Sequence, residues 1–229
     1  MAGGPMINFV FMLTHRDRTV DDALEQVAAL GATGLRYLGF KDVGATPARQ
    51  REICAAARAA GLATMLEVVS VSAADEVASA ESAVAAGVDW VLGGTHPDRV
   101  LPVLRGTDIR YCPFPGRVVG HPSVLEGTVE EITRSAAELT ARDGVYGLDL
   151  LAYRHAGADV AKLTASVVAA ARGPVIAAGS VSAAAQIRVL AEAGAWGFTI
   201  GSAIFDGLLP GAPGVAAQVR EVLAVAESG

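Results

Sequence analysis

A single local pattern recurs along this chain and constrains its fold more than any other feature. An Ala-rich amphipathic segment ends at a glycine, and a short β-branched or aromatic run follows it. Glycine is favoured directly after a helix because it adopts the left-handed conformation without a Cβ clash. The pattern therefore predicts helices that alternate with strands, which is typical of a parallel sheet. The glycines are Gly31, Gly61, Gly87, Gly106, Gly144, Gly173 and Gly194.

Eight strands are predicted in this way, seven after these glycines and one before the first helix. Each strand is a nearly continuous apolar run, as expected when both faces of a strand are covered. The predicted strands are residues 7–13, 35–41, 63–69, 90–94, 109–112, 145–152, 175–179 and 196–201.

Eight helices are predicted between and after the strands. Several begin at a residue whose side chain can accept hydrogen bonds from the N–H groups of the first turn. These N-cap signals are Thr19 with Asp22, Ser72 with Asp75, Thr128 with Glu131, Thr46 before Pro47, and Ser182. The predicted helices are residues 20–30, 47–60, 73–86, 97–104, 129–142, 158–172, 183–193 and 214–227.

Eight alternating units in 229 residues fit an α/β protein that is a single-domain (β/α)8 TIM barrel over residues 1–229. A doubly wound open sheet is the competing topology. No Gly-x-Gly-x-x-Gly follows the first predicted strand, which weighs against a dinucleotide-binding fold.

Composition narrows the class of protein further. The chain is 52% hydrophobic with a mean hydropathy of +0.42, which suffices for one large core. No stretch is long and apolar enough to span a bilayer, and residues 1–6 lack the features of a signal peptide. Cys54 and Cys112 are isolated and indicate neither a disulfide framework nor a zinc site. We therefore expect a cytoplasmic protein with no membrane partner.

Charge excludes another class of partner. The net charge is −6, and acids and bases are interspersed without a basic block. A nucleic-acid partner is therefore not expected. The Ala-rich outer helices are compatible with a homo-oligomer.

The seventh and eighth predicted strands both end in Gly-Ser, within residues 174–180 (PVIAAGS) and 196–202 (WGFTIGS). Small residues at two neighbouring strand ends can present backbone N–H groups to an anion, as helix N-termini do. In (β/α)8 barrels a phosphate is commonly held after strands 7 and 8. Glycines that serve only tight turns are the alternative, but paired Gly-Ser ends supply hydrogen-bond donors as well.

Residues 175–204 (VIAAGSVSAAAQIRVLAEAGAWGFTIGSAI) resemble the closing segment of the ribulose-phosphate-binding barrel superfamily. That group includes sugar-phosphate isomerases, N-acylmannosamine-6-phosphate epimerases, and hexulose-phosphate synthases with related decarboxylases. The resemblance is specific over about the last quarter of the chain and architectural elsewhere. It implies a small phosphorylated substrate bound at Gly179, Ser180, Gly201 and Ser202, and it does not choose among the chemistries.

Lys41 ends the second predicted strand and is one of only two lysines in the chain. A desolvated lysine can act as an acid, a base or a Schiff-base nucleophile. Strand alternation places Lys41 on one face of strand 2 and Glu67 on one face of strand 3. If both faces point into the barrel, the two side chains are neighbours. We predict both as catalytic residues, with a structural ion pair at the barrel mouth as the alternative.

Asp149 interrupts the apolar run 148–151, and a buried carboxylate needs partners or a function. We predict it as a third catalytic residue, the alternative being a carboxylate satisfied by backbone donors or an arginine. The long loop 113–127 carries Arg117 and His121, which we predict to bind substrate because loops of this length often cover or line active sites. Other polar residues follow strand ends without a motif that assigns them a role: Thr14, His15, Arg16, Asp17, Asp42, Thr95, His96, Tyr153, Arg154 and His155.

No metal site and no cofactor are predicted, because the histidines form neither a His-x-Asp strand end nor a His-x-x-x-His pair. The predicted function is an isomerase or epimerase that moves a proton next to the carbonyl of a small phosphorylated sugar or sugar-derived metabolite. An aldolase- or decarboxylase-type lyase that uses Lys41 is the alternative. The resembling lysine-dependent aldolases usually place their lysine on strand 6, where this chain has Asp149. A non-catalytic barrel that binds a phosphorylated metabolite is a further alternative.

Overall fold

Eight parallel strands form a nearly closed barrel in the computed structural model, which describes residues 6–228. The strands are β1 Asn8–Met12, β2 Tyr37–Lys41, β3 Ala63–Val68, β4 Trp90–Gly93, β5 Arg110–Cys112, β6 Leu148–Leu150, β7 Val175–Ala177 and β8 Gly197–Ile200. The prediction of a single-domain (β/α)8 barrel is confirmed. Residues 1–5 and 229, the ends of the expected domain, lie outside the described residues.

The spatial order of the strands is β6-β7-β8-β1-β2-β3-β4-β5. The first and last strands are therefore neighbours, and Asn8 of β1 lies in register with Gly197 of β8. Strands β5 and β6 are not paired along their length and are joined by isolated backbone hydrogen bonds such as Tyr146 N–H to Tyr111 O, at 2.8 Å. This order brings the carboxyl ends of β7, β8, β1, β2 and β3 to one side of the barrel mouth.

Helices cover the outside of the barrel: α1 Ala23–Leu30, α2 Pro47–Ala59, α3 Ala73–Ala86, α4 Pro97–Leu104, α5 Val129–Thr140, α6 Val160–Ala170, α7 Ala184–Glu192 and α8 Val215–Ser228. They bury an apolar stripe, as Ile132, Ala136 and Leu139 of α5 show with their helical spacing. A separate apolar cluster fills the barrel interior: Val10, Met12, Met65, Trp90, Leu92, Cys112 and Ile176. In the part of the chain that the structure describes, no helix has the length and apolarity that a membrane crossing requires.

Three of the predicted N-caps are confirmed, at Thr46, Ser72 and Thr128. The predicted pair of Thr19 with Asp22 is wrong, because Thr19 belongs to a β-hairpin (Thr14–His15 with Arg18–Thr19) and its hydroxyl bonds the backbone of Lys41. Helix α1 consequently starts at Ala23, after Asp22.

The predicted cap at Ser182 is also wrong. The side-chain oxygen of Gln186 accepts hydrogen bonds from the backbone N–H groups of Ser182 and Ala183, at 2.7 and 3.1 Å, and so serves the start of α7 from within the helix.

Two further departures concern segments beyond the strand ends. The predicted strand 145–152 shortens to Leu148–Leu150, and Ala152–Arg154 forms a 3-10 turn. The long loop after β5 folds into a second hairpin, Arg117–Val119 with Val124–Glu126.

Candidate active site

A cavity of about 290 Å³ opens at the carboxyl ends of β1, β2, β3, β7 and β8. Six of the nine predicted site residues line it: Lys41, Glu67, Gly179, Ser180, Gly201 and Ser202. The polar side chains of strands 2 and 3 and the two Gly-Ser ends thus face the same space. The fold brings them together because parallel strands end at the same edge of the sheet.

Lys41 and Glu67 are direct register partners on β2 and β3. Both residues are only 4% exposed, and Lys41 Nζ lies 3.6 Å from Glu67 Oε2. The predicted proximity of these two side chains is confirmed.

Asp17 and Arg154 complete the charged group, and sequence reasoning gave neither of them a role. Asp17 Oδ1 accepts a hydrogen bond from Lys41 Nζ at 2.6 Å and another from Arg154 Nη2 at 2.8 Å. Asp17 Oδ2 accepts from Arg154 Nη1 at 3.0 Å, so the guanidinium binds the carboxylate in bidentate fashion. Four charged side chains from β2, β3 and the loops after β1 and β6 therefore form one network at the polar end of the cavity.

The hairpin after β1 places Asp17 at this position. Arg16 and Asp17 adopt left-handed φ angles of 48° and 61°, which is uncommon for residues other than glycine. Contacts that hold the hairpin include those of the Thr19 hydroxyl with the backbone of Lys41, Arg16 N–H with Ser202 Oγ at 3.1 Å, and His15 Nε2 with Asp206 Oδ1 at 2.9 Å. The strained turn is thus tied to β2 on one side and to the end of β8 on the other.

The pKa of Asp17 reflects this network. Burial alone would raise it, but the hydrogen bond from Arg154 and the charge and hydrogen bond of Lys41 outweigh burial and hold the pKa well below its usual range. A carboxylate that resists protonation in this way is a poor proton acceptor. Asp17 is therefore suited to holding the two cations in place rather than to acting as a base.

Asp149 lies beneath this network and does not line the cavity. It is fully buried, and neither carboxyl oxygen has a hydrogen-bond partner among the described residues. Burial raises its pKa well above the usual range, and the nearby charge of Glu67 adds to the shift. Asp149 therefore holds its proton far more tightly than an exposed aspartate does.

The two Gly-Ser ends form the other wall of the cavity. Gly179 and Ser180 both have left-handed φ angles, 78° and 59°. A Cβ on Gly179 would lie 2.5 Å from Arg154 Nε, and one on Gly201 would lie 2.6 Å from the carbonyl oxygen of Thr14. Glycine is thus required at both positions by the close approach of the neighbouring loops.

The structure does not bring the two predicted substrate-binding residues of the β5 loop into this cavity. Arg117 forms an ion pair with Glu126 across the second hairpin and is largely exposed, and His121 is exposed at the hairpin tip. Among the described residues, the loop's hydrogen bond to the charged network is the one that the carbonyl oxygen of Ser123 accepts from Arg154 Nη1, at 3.3 Å. The role of Arg117 and His121 stays a prediction.

The signal that could have indicated Asp17 and Arg154 is their position in the loops that follow predicted strands 7–13 and 145–152. What the sequence lacks is any sign that they meet, because they are 137 residues apart and both lie in loops.

Comparisons with known proteins agree with this architecture. No protein-family model and no curated protein matches the chain. Solved structures with the same fold include orotidine 5′-phosphate decarboxylase from Pyrococcus horikoshii (TM-score 0.67, 13% identity, 96% of this chain and 98% of that one). Tryptophan synthase from M. tuberculosis matches with a TM-score of 0.66 and 18% identity, over 98% of this chain and 94% of that one.

N-(5′-phosphoribosyl)anthranilate isomerase from Pyrococcus furiosus is also similar, with a TM-score of 0.62 and 14% identity over 97% of this chain and 100% of that one. At these identities the similarity shows the fold and leaves the reaction open. The chain is a single (β/α)8 barrel with a charged cavity at the carboxyl ends of its strands. Its structural neighbours include an isomerase and a decarboxylase by name.

Proposed function

We propose that this protein is an isomerase or epimerase that moves a proton next to the carbonyl of a small phosphorylated sugar or sugar-derived metabolite. The observation that carries the proposal is the division of one cavity into two parts. One part is lined by the two Gly-Ser ends, at Gly179, Ser180, Gly201 and Ser202, and the other, charged part is lined by Lys41 and Glu67. The first part suits a phosphate and the second suits proton transfer.

Glu67 is the proposed base. Its carboxylate faces the cavity and makes only the longer 3.6 Å contact with Lys41 among the described residues, whereas Asp17 is held by three short hydrogen bonds. A carboxylate with this freedom can accept a proton from the carbon next to a carbonyl. Lys41, whose Nζ lies between the two carboxylates, is placed to donate a hydrogen bond to the enolate oxygen that develops.

The phosphate wall would hold the substrate in register while the proton moves. Positioning of this kind contributes because the reacting groups no longer have to find each other by diffusion. Asp149 does not reach the cavity and forms no hydrogen bond with Glu67 or Lys41 among the described residues, so its catalytic role stays a prediction.

The Schiff-base form of the lyase alternative requires Lys41 as a free amine, because only the unprotonated amine attacks a carbonyl. Lys41 Nζ instead contacts Asp17 at 2.6 Å and Glu67 at 3.6 Å, the geometry of an ion-paired ammonium. This geometry favours the isomerase or epimerase over a Schiff-base aldolase.

Solvent exchange in D2O tests the proton transfer directly. Ribulose 5-phosphate, ribose 5-phosphate and glyceraldehyde 3-phosphate are incubated with the protein, and proton NMR follows loss of the signal at the carbon next to the carbonyl. We expect Glu67→Gln to slow this exchange by about 10²–10⁴-fold, the range typical of a lost general base. Glu52→Gln, which changes an exposed glutamate in α2, is the matched control and should leave the exchange unchanged.

The phosphate site is tested with a matched pair at Ser180. Asparagine and aspartate both tolerate the left-handed conformation, so Ser180→Asn and Ser180→Asp differ mainly in charge. Inorganic phosphate should stabilise the parent and Ser180→Asn against heat and should not stabilise Ser180→Asp. Absence of any thermal shift of the parent with phosphate or with a phosphate ester would contradict the proposal.

A further inference from the structure

The charged part of the cavity is balanced by its own side chains. Asp17 binds both Lys41 and Arg154, and Glu67 lies beside Lys41, so two carboxylates face two cations. The carboxylate oxygens of Asp17 take the inward N–H groups of the guanidinium at 2.8 and 3.0 Å. Neither cation is left without an anionic partner.

Few hydrogen-bond donors of Arg154 and Lys41 remain free to bind a further anionic group. Arg154 Nη1 also donates to the carbonyl oxygen of Ser123, and its Nε side is pressed against Gly179. Lys41 has one strong contact, to Asp17, and one longer contact, to Glu67. The ammonium can still donate to a neutral oxygen, whereas a bidentate site for an anionic group is already occupied by Asp17.

We propose that the reacting end of the substrate carries no carboxylate. The substrate class is then a phosphate ester whose other end is an uncharged hydroxy or carbonyl carbon chain, with the phosphate as its only anion. This inference rests on the proposed phosphate site and proton transfer, and it excludes sugar-acid and keto-acid phosphates as substrates.

The physical reason is that a third carboxylate would enter a space walled by Asp17 and Glu67. Both are nearly buried, so their repulsion of a like charge is weakly screened. A substrate carboxylate could form an ion pair with Lys41 or Arg154 only by displacing the carboxylate of Asp17. Asp17 is therefore a specificity-determining residue, which occupies the place that a substrate carboxylate would need.

Two pairs of unreactive phosphate esters measure the effect of a carboxylate on binding. Glycerol 3-phosphate and 3-phosphoglycerate differ at one end, where a hydroxymethyl group replaces a carboxylate, and ribitol 5-phosphate and 5-phosphoribonate form a longer pair. Binding to the parent is measured by calorimetry at one ionic strength. We expect the carboxylated member of each pair to bind at least tenfold more weakly, which corresponds to about 1.4 kcal/mol.

Asp17→Asn tests the assignment of this selectivity. Removal of its charge frees Arg154 and Lys41 for an incoming carboxylate, so the ratio of the two dissociation constants should fall to one or reverse. Asp206→Asn is the contrasting variant, because Asp206 lines the cavity beside the Gly-Ser ends and the amide oxygen of asparagine can keep the contact with His15 that holds the hairpin. It should strengthen both members of a pair equally and leave their ratio unchanged.

The outcomes separate this inference from the proposed function. If the uncharged esters and inorganic phosphate bind while the carboxylated esters bind equally well or better, the inference is overturned and the phosphate site stands. If neither inorganic phosphate nor any ester binds, the proposed function fails and the inference fails with it. If Asp17→Asn does not fold, the ratio measured on the parent still decides the substrate class.

Discussion

Gly179→Ala is the sharpest structural test of the site, because the added methyl group would clash with the Arg154 side chain while every charged residue is kept. A Cβ at this position would lie 2.5 Å from Nε, 2.8 Å from Cδ and 3.0 Å from Cγ of Arg154. These atoms make up the middle of the side chain, so a rotation of the guanidinium alone cannot relieve the clash. Arg154 would have to leave its path over the turn after β7 and give up its bidentate contact with Asp17.

The expected magnitude follows from a matched control in the same chain. Gly61 has φ +74°, close to the +78° of Gly179, and a Cβ there would meet nothing within 4 Å. Alanine in the left-handed conformation costs about 1–2 kcal/mol at either site. Gly179→Ala should also lose two hydrogen bonds between charged groups, each worth about 1.5–3 kcal/mol. We therefore expect about 1–2 kcal/mol for Gly61→Ala and at least about 4 kcal/mol for Gly179→Ala.

Urea unfolding at neutral pH measures both variants. The same Gly179→Ala change is then made in an Arg154→Ala background, where the clash has been removed. There its cost should fall to that of Gly61→Ala. Equal costs of the two glycine substitutions in the parent would refute the reasoning.

Three further predictions follow from buried titratable groups. The depressed pKa of Asp17 stabilises the fold above the ordinary aspartate pKa, and this contribution is lost as pH falls through the lower folded value; the difference in melting temperature between the parent and Asp17→Asn should therefore shrink below about pH 5. The raised pKa of Asp149 has the opposite effect on stability, since its contribution to the free energy of unfolding is present below the ordinary aspartate pKa and is lost as pH rises. The stability of Asp149→Asn relative to the parent, measured by urea unfolding, should therefore increase from pH 4 to pH 8. Burial raises the pKa of Cys54 to about 11 and that of Cys112 well above its usual value; neither thiol should react with a chromogenic disulfide until urea unfolds the protein, and rapid labelling of the native state would contradict this.

Much of the fold could be predicted because its signals are local. Helix-ending glycines and apolar runs mark the β/α units without reference to the rest of the chain, and the N-caps at Ser72 and Thr128 depend on residues three positions away. The pairing of Lys41 with Glu67 follows from strand alternation once β2 and β3 are neighbours. Errors appear where a local pattern is overruled by a distant contact, as at Thr19, whose hydroxyl bonds Lys41 rather than the start of α1.

The sequence by itself determined the eight units, the two Gly-Ser ends and the facing of Lys41 towards Glu67, because each depends on the periodicity of a strand or helix. Only the tertiary structure decided that Asp17 and Arg154 join Lys41, that Arg117 and His121 stay at the periphery, and that Asp149 lies below the cavity. Loop residues have no fixed periodicity, and Asp17 meets Arg154 only because closure of the barrel brings the ends of β1 and β6 to one rim. The charge balance at the site therefore depends on the fold, because the charged residues come from separate segments of the chain.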